Sequence, residues 1–580
     1  MQPPPEQLST QLTSTPGQTA GALDRDSSGG PGGPDDRGAP GSRPDGATRR
    51  PSTSRQLASR RLHDTHPLVW LPAVVIAAAM MIPAVYLVIA ASELEGAGVV
   101  DLLRSADTAR LAGRTLLLGF AVTAASVGLG VPIAWLTTRS DLPARRFFAV
   151  ATALPLVIPT YVGAFTLVGA FARGGLLEDW FGIIAPSPYG FWGSFTALTL
   201  FSFPYVLLTV QAGLRGLDPS LEEASRLLGN GPVRTFFKVT VPQLRASAAA
   251  GGLLVLLYVF SDFGAVSILR YSTFTRGLYL QYRSAFDRAP AALLGLLLVG
   301  LTILVIVGEA RIARDRGGQF ASRGPTRPAP RIRLRAWRWP AAAACSLIVL
   351  LGLVTPITVV VYWMVRGLAA GEQVNVAFGA AGRSLLAAGL GAVVGVLAAL
   401  PIAIWSARSS SRVARLIERA SFTGYALPGI VVALALVFVG IRVATPLYQT
   451  LAMLVFAYVV LFLPQAVGAI RSSLLQVNPD VESASRTLGH SRLATLRRVT
   501  LPLARRGAFA GGALVFLTAL KELPATLLLA PTGFDTLATR VWSATAEAFY
   551  TRASVPALGL ILLGSVPLAI VMIRERREIG

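Results

Sequence analysis

Charged residues are scarce in this chain. They make up 14% of 580 residues, against about 25% in soluble globular proteins. With 53% hydrophobic residues, a mean hydropathy of +0.58 and many long apolar runs, that deficit excludes an ordinary soluble domain and places the chain in a bilayer. Cysteine is nearly absent. Cys345 stands alone inside an apolar run, so no intrachain disulfide and no cysteine metal cluster can form. The three histidines, His63, His66 and His490, lie outside the apolar runs, which leaves no histidine metal site within the membrane. Lysine occurs only at Lys238 and Lys521. A phosphate-binding P-loop needs Gly-Lys followed by Ser or Thr. Lys238 follows Phe237 and Lys521 follows Leu520, so the usual ATP-binding device is missing.

What is abundant is arginine, which carries nearly all of the net charge of +23. A nucleic-acid binder concentrates such charge on one face. Here the arginines alternate between successive loops, which is a topology signal, and no nucleic-acid partner is expected. Twelve spans are predicted, each near the ~20 residues needed to cross the hydrocarbon core. The first six cover 67–91, 111–137, 147–171, 192–212, 246–269 and 291–310, and the second six 339–365, 384–406, 421–441, 446–469, 507–530 and 554–573. Arginine is richest in the tails and in the loops on the N-terminal side, so the positive-inside rule puts both termini in the cytoplasm. Trp70, Trp192, Trp339 and Trp405 fall near span ends, where interfacial aromatics collect. Residues 1–66 are rich in Pro, Gly, Ser, Asp and Arg. They cannot bury a core and are predicted to be a disordered tail, too long and polar for the start of a signal peptide. A basic connector, 311–338, separates the units 67–310 and 339–574.

Those units are copies. Glu222-Glu223-Ala224-Ser225-Arg226-Leu227-Leu228-Gly229, followed by Val239-Thr240-Val241-Pro242, returns as Glu482-Ser483-Ala484-Ser485-Arg486-Thr487-Leu488-Gly489, followed by Val499-Thr500-Leu501-Pro502. Both lie in the loop after the fourth span of their half. Arg114-Thr115-Leu116 resembles Arg383-Ser384-Leu385, Leu154-Pro155 resembles Leu427-Pro428, Phe203-Pro204 resembles Leu463-Pro464, and Thr275-Arg276 resembles Thr539-Arg540. The expected fold is an all-α polytopic membrane protein: two parallel six-helix repeats enclosing a path along a pseudo-twofold axis.

Each repeated segment carries helix punctuation. Asp218 or Asn478 can cap a helix that starts at Pro219 or Pro479, and Gly229 or Gly489 supplies the left-handed stop. Pro232 can open a second short helix in the first copy, which Pro242 is expected to end. An amphipathic connector at the headgroups would explain one such segment, but two matching copies point to a partner-binding element used twice. A DNA-reading helix-turn-helix does not suit a motif tied to the membrane at both ends.

The spacing in Glu223-Ala224-Ser225…Gly229…Val239-Thr240-Val241-Pro242 resembles the coupling loop of ABC importer permeases, with Ser for the family's second Ala and Val for its Leu. In the second copy Ser483 occupies the Glu position and Glu482 stands one residue earlier, so the two halves need not grip a partner equally. The resemblance, which covers 67–575, implies an ATPase subunit, in two copies, docked on these loops. Glu222, Glu223, Ala224, Ser225, Gly229, Pro242, Glu482, Ala484, Ser485, Gly489 and Pro502 are the expected coupling residues. It also implies an extracytoplasmic solute-binding protein, a place in the bacterial inner membrane, and ATP and Mg²⁺ used by the partner rather than bound here. The chain itself is expected to be no enzyme and to hold no cofactor or resident metal. The fused layout and the stretch Lys521-Glu522-Leu523-Pro524-Ala525-Thr526, with Gly533-Phe534-Asp535-Thr536-Leu537, is similar to ferric-iron permeases of this superfamily. Thiamine, sulfate, polyamine and phosphonate permeases share the plan. An ion-gradient-driven transporter is the competing class, and it leaves the two loops unexplained.

Asp262 and Glu522 fall at equivalent places in the two fifth spans. Charge in hydrocarbon costs about 2.5–3.5 kcal/mol on insertion scales and usually faces a cavity or a partner. Asp262, Glu522 and Lys521 are therefore candidate path residues; alternatively Lys521 or a nearby Arg neutralises the carboxylates and they only fix helix packing. Arg114 and Arg383 form a second symmetric pair, expected to snorkel to the headgroups. Pro155, Pro159 and Pro428 are expected to kink the third spans, neighbouring helices satisfying the freed carbonyls.

Overall fold

The computed structural model describes residues 67–579 apart from 95, 218–219, 285–288, 316–330, 373–374, 410 and 479. The predicted tail 1–66, most of the connector 311–338, the cap Asp218-Pro219 and Pro479 lie outside the described residues. What is described is helical throughout. Its β pairing is limited to an isolated parallel bridge between Ser140 and Ile332.

Among the described residues, ten helices are long and apolar enough to cross a membrane. In a bilayer the backbone must satisfy its own polar groups, and a helix does this within one segment. The expected ninth span is the short apolar helix Gly429–Arg442 of 14 residues, and the expected twelfth is Tyr550–Ile579. The second spans are longer than predicted, Ala106–Arg139 and Asn375–Arg408, each with an internal proline, Pro132 and Pro401. The fourth spans, Phe191–Arg215 and Leu451–Leu475, carry Pro204 and Pro464 in the same way.

The third and fifth spans correct the sequence reading, because they are interrupted rather than continuous or merely kinked. In the first half, Arg145–Ala151 and a 3₁₀ turn at Leu154–Val157 lead to Pro159, after which Thr160–Phe171 begins. In the second, Arg412–Ser421 and Thr423–Ala426 lead to Pro428, after which Gly429–Arg442 begins. Pro159 has φ −58 and ψ 142 and Pro428 has φ −57 and ψ 143. The structural equivalent of Pro428 is therefore Pro159, and not Pro155 as the Leu-Pro dipeptides suggested. Proline fixes φ and removes an N–H, so an extended residue at the helix entry costs no hydrogen bond. The fifth spans, Val241–Ser261 and Leu501–Leu520, stop before Asp262 and Lys521, and the chain resumes in Gly264–Ile268 and Pro524–Leu529.

Pro242 also acts differently from expectation, and Pro502 behaves as it does. They do not end a helix. Each follows a π-helical turn, Phe236–Thr240 or Leu496–Thr500, and lies in the first turn of the fifth span. A third π turn, Leu350–Val354, precedes Pro356. The widened turn re-registers the ladder where proline can donate no hydrogen bond, so loop and span run on as one rigid piece.

Fourth and fifth spans approach closely through small residues. A Cβ on Gly251 would lie 2.8 Å from Val206 Cα, and one on Gly511 would lie 2.9 Å from Ala466 Cα. Such contacts replace the hydrophobic drive that lipid does not provide between helices, and they fix the loop joining the two spans. The first spans cross over. Pro67–Ala91 packs on Asn375–Arg408 and Gly429–Arg442 of the second half, while Thr355–Ala369 packs on Thr160–Phe171 of the first. On the face opposite the repeated loops the exchange is marked by ion pairs. Arg442 meets Glu93, and Arg366 meets Asp179, the latter on a short helix, Leu176–Phe181, in the loop between the third and fourth spans of the first half.

Candidate functional site

The two repeated loops fold alike. Ser220–Leu227 and Asp480–Thr487 are two-turn helices. Gly229 at φ +83 and Gly489 at φ +87 turn the chain in the left-handed region, and Pro232–Thr235 and Arg492–Thr495 form the second short helices. Acidic residues in the first turns, Glu222 and Glu223 or Asp480 and Glu482, suit the positive helix end. Asn478 Oδ1 accepts from the Asp480 N–H at 3.0 Å, as predicted for a cap.

The glutamate that is structurally retained is Glu222, matched by Glu482. Their side chains are buried in both halves, with 5% and 7% exposure. Thr240 Oγ1 donates to Glu222 Oε1 at 3.0 Å, and Thr500 Oγ1 donates to Glu482 Oε1 at 3.1 Å. An arginine compensates each charge. Arg226 Nη2 lies 3.8 Å from Glu222 Oε2, and Arg408 Nε lies 3.1 Å from Glu482 Oε1. Arg139, at the end of the first half's second span as Arg408 is in the other half, donates to the Leu214 carbonyl at 2.8 Å. Ser225 and Ser485 are buried too, each bonded to a threonine hydroxyl of the second short helix, Thr235 at 3.2 Å and Thr495 at 3.1 Å. By contrast Glu223, Ser483, Ala224 and Ala484 are exposed. The departure of the second copy at Ser483 thus changes the outer surface of the loop and leaves the buried clamp intact.

That outer surface also carries open leucines. Leu227 and Leu228 are 89% and 83% exposed and Leu488 is 80% exposed. Side chains this open beside a polar clamp form an exposed apolar patch of the kind that marks interaction sites. Sequence reasoning missed Thr240, Thr500, Thr235 and Thr495 as partners of the acidic and serine positions. The signal for the first pair was present, since the Val-Thr-Val/Leu-Pro run is repeated with its threonine.

The second constellation lies where the third and fifth spans break. Asp262 is buried. Its Oδ1 accepts from the N–H groups of Ala265 and Val266 at 3.0 and 3.2 Å, and its Oδ2 accepts from Thr160 Oγ1 at 2.5 Å. It therefore caps Gly264–Ile268 from within the protein. Glu522 Oε1 accepts from the Ala525 N–H at 3.2 Å, the equivalent bond with a longer side chain. Thr160 is replaced there by Gly429, where a Cβ would stand 2.8 Å from Glu522 Oε1. The short acid is paired with threonine and the long acid with glycine. Among the described residues, no hydrogen bond reaches Glu522 Oε2, and no three His, Cys, Asp or Glu side chains gather in a metal-binding group. Lys521 does not neutralise these carboxylates by contact. Its Nζ crosses to the first half and donates to the Leu156 carbonyl at 3.1 Å.

Another symmetric pair holds the helices that follow the broken segments, Phe274–Ser284 and Leu537–Ala546. Thr115 Oγ1 accepts from the Phe274 N–H at 3.0 Å, and Ser384 Oγ accepts from the Leu537 N–H at 2.8 Å. Beside them Arg114 is exposed, in line with snorkelling, whereas Arg383 is held by the Asp535 carbonyl at 2.8 Å. The snorkelling expectation for Arg383 is therefore corrected: a backbone carbonyl in the loop before Leu537–Ala546 holds the half-buried guanidinium.

A chain made of two such six-helix units, each with the same clamped loop, matches one family model twice. That model describes the inner membrane component of binding-protein-dependent transport systems, and it covers residues 126–316 and 391–577. The chain belongs to this family. The permease is 35% identical over 507 residues to the Fe(3+)-transport system permease protein FbpB 2 of Haemophilus influenzae, a match spanning 86% of this chain and 97% of that one. It is 30% identical over 207 residues to the molybdenum transport system permease protein ModB of Escherichia coli K12, covering 33% of this chain and 90% of that protein. The sulfate transport system permease protein CysT of the same organism is 29% identical over 198 residues, 33% of this chain and 72% of its own. Relatives nearly spanned by a third of this permease are what a fusion of two units is expected to match. The permease is thus a multi-pass inner-membrane subunit of an ABC importer that works with a binding protein.

Proposed function

We propose that the permease carries ferric iron from an extracytoplasmic binding protein into the cytoplasm. Likeness over nearly the whole length of a ferric-iron permease supports this substrate; the molybdenum and sulfate relatives match over a third of the chain and support an oxyanion as the second reading. Two copies of an ATPase subunit, which alone binds ATP and Mg²⁺, dock on Ser220–Leu227 and Asp480–Thr487. The observation that carries this is the matched Thr–Glu and Ser–Thr bonding buried under the exposed leucines of both loops. Because π turns join each clamp to a fifth span without a hinge, bringing the two loops together as the ATPases close would move both fifth spans and the broken segments above Asp262 and Lys521. Both termini lie in the cytoplasm, on the arginine-rich side.

In this reading Glu522 lines the path, since its Oε2 has no hydrogen-bond partner among the described residues and carboxylate oxygen suits a hard ferric ion as passing cargo. Asp262 has both oxygens engaged and shapes the path through its cap. Lys521 ties the halves together at the same level through the Leu156 carbonyl.

The test is uptake of radiolabelled ferric iron by cells with the permease, its ATPase and its binding protein, against cells lacking only the permease. ATP-dependent iron uptake indifferent to excess sulfate, molybdate, thiamine or polyamine is expected. Uptake of one competitor in place of iron would discard the substrate and keep the importer. Flux that follows an ion gradient and survives loss of the ATPase would discard the importer.

A further inference from the structure

Before its first span the second half lies against the first as a strap. The Ile332 N–H donates to the Arg139 carbonyl at 2.8 Å, the Ile332 carbonyl accepts from the Asp141 N–H at 3.1 Å, and the Leu334 N–H donates to Asp141 Oδ1 at 2.7 Å. Residues alternate along this extended piece. Ile332 and Leu334 are half-buried, and Leu334 packs with Leu142, Phe148 and Cys345. Arg331 and Arg333 take the alternate positions and are exposed, and Arg335, which opens a 3₁₀ turn at φ +53, is exposed beside them. The strap ends in Trp337 and Trp339, 74% and 63% exposed, with Arg338 over the Trp339 ring at 5.2 Å.

Among the described residues, none of these arginines has an acidic partner. Arg331 adds to a positive cluster: partial burial and then the neighbouring charges of Arg331 and Arg146 lower the Arg145 guanidinium below its ordinary pKa. Exposed arginines without an acidic partner among the described residues, next to two open indoles, call for a partner that is anionic on one side and apolar on the other. A polar protein surface would leave the indoles bare, and a free anion would need only the guanidinium groups.

We propose that the strap 331–339 is a docking site for anionic phospholipid headgroups of the inner leaflet. Phosphate oxygens pair with the guanidinium groups of Arg331, Arg333 and Arg335, and Trp337 and Trp339 sit at the headgroup level beside the acyl chains. The leaflet assignment rests on the topology proposed above. A lipid held there braces the second half on the first, one hydrogen bond from Arg139, whose guanidinium is close enough to Glu222 to feel its charge.

The experiment is native mass spectrometry of the full purified chain titrated with phosphatidylglycerol or phosphatidylcholine. The unmodified chain is expected to retain phosphatidylglycerol several-fold more strongly, and Arg331→Gln, Arg333→Gln and Arg335→Gln together are expected to bring it down to the phosphatidylcholine level. All three side chains are exposed, so the fold is not at stake. A matched triple on Arg412–Ser421, with Arg412, Arg415 and Arg419 changed to Gln, is expected to keep the preference. Equal retention of the two lipids by the unmodified chain, an equal loss in the matched triple, or displacement of the lipid by excess inorganic phosphate would each overturn the site. The readout needs neither ATPase nor cargo, so its failure leaves the transport reading standing, and failure of transport leaves the lipid result interpretable.

Discussion

The Thr240 hydroxyl lies 3.0 Å from Glu222 Oε1, and the Thr500 hydroxyl lies 3.1 Å from Glu482 Oε1. Each bond ties the first short helix of a loop to the π turn that leads into the fifth span, so each joins the docking surface to the membrane helix it is proposed to move. Removing one partner of a buried, charged hydrogen bond costs about 1.5–3 kcal/mol. Thr240→Val and Thr500→Val are expected to lower ATP-dependent uptake to similar extents at equal membrane levels of protein. Glu222→Ala and Glu482→Ala should likewise be comparable. Glu223→Ala, which alters an exposed position that is already Ser483 in the other half, is expected to have a much smaller effect than Glu222→Ala. Equal damage from Glu223→Ala and Glu222→Ala would mean that the surface, and not the clamp, carries the coupling.

The acid and its neighbour have exchanged sizes between the halves, which makes a rescue possible. Gly429→Thr alone is expected to impair folding or uptake, because the new side chain enters the space beside Glu522 Oε1. Glu522→Asp should restore part of that loss, because the pair then becomes the Thr160–Asp262 pair of the first half. Thermal unfolding of the single and double variants measures the coupling, and strictly additive effects would reject the equivalence.

Glu522→Gln keeps the size of the side chain and an acceptor oxygen for the Ala525 N–H while removing the charge. Under the path reading, iron uptake is expected to fall several-fold while the melting temperature holds. Undiminished uptake at an equal protein level would remove Glu522 from the path and leave it a helix cap.

Ser384 is 3% exposed and receives the first N–H of Leu537–Ala546. Ser384→Ala strands that donor, and a loss of about 1–3 kcal/mol is expected. Ser384→Thr should be tolerated, since Thr115 fills the equivalent position. Chemical or thermal denaturation in detergent distinguishes the two, and equal destabilisation would show that volume rather than the hydroxyl matters.

Much of this architecture was legible in the residues. Apolar runs located the spans because a bilayer admits few backbone solutions. The doubled Glu, Ser, Gly and Pro positions located the loops, because a left-handed turn demands glycine and a cap demands a polar side chain. The interruptions at Asp262 and Lys521 were harder to see. Each is flanked by residues apolar enough to continue a helix, and the break is met from other segments: the Thr160 and Thr275 hydroxyls donate to the Asp262 carboxylate and carbonyl, and Gly429 leaves room for the Glu522 carboxylate. The Leu-Pro dipeptides misled for a related reason: local similarity aligned Pro155 with Pro428, while backbone dihedrals align Pro159.

By itself, then, the sequence determined the class of solvent, the duplication, the orientation signal and the loops, all of which follow from local composition and spacing. Tertiary structure alone decided which glutamate is clamped, which carboxylate keeps a free oxygen, and that the first spans and the strap cross between halves. These depend on contacts between residues far apart in the chain, and one sequence carries no local signature of which distant hydroxyl or carbonyl a side chain will reach.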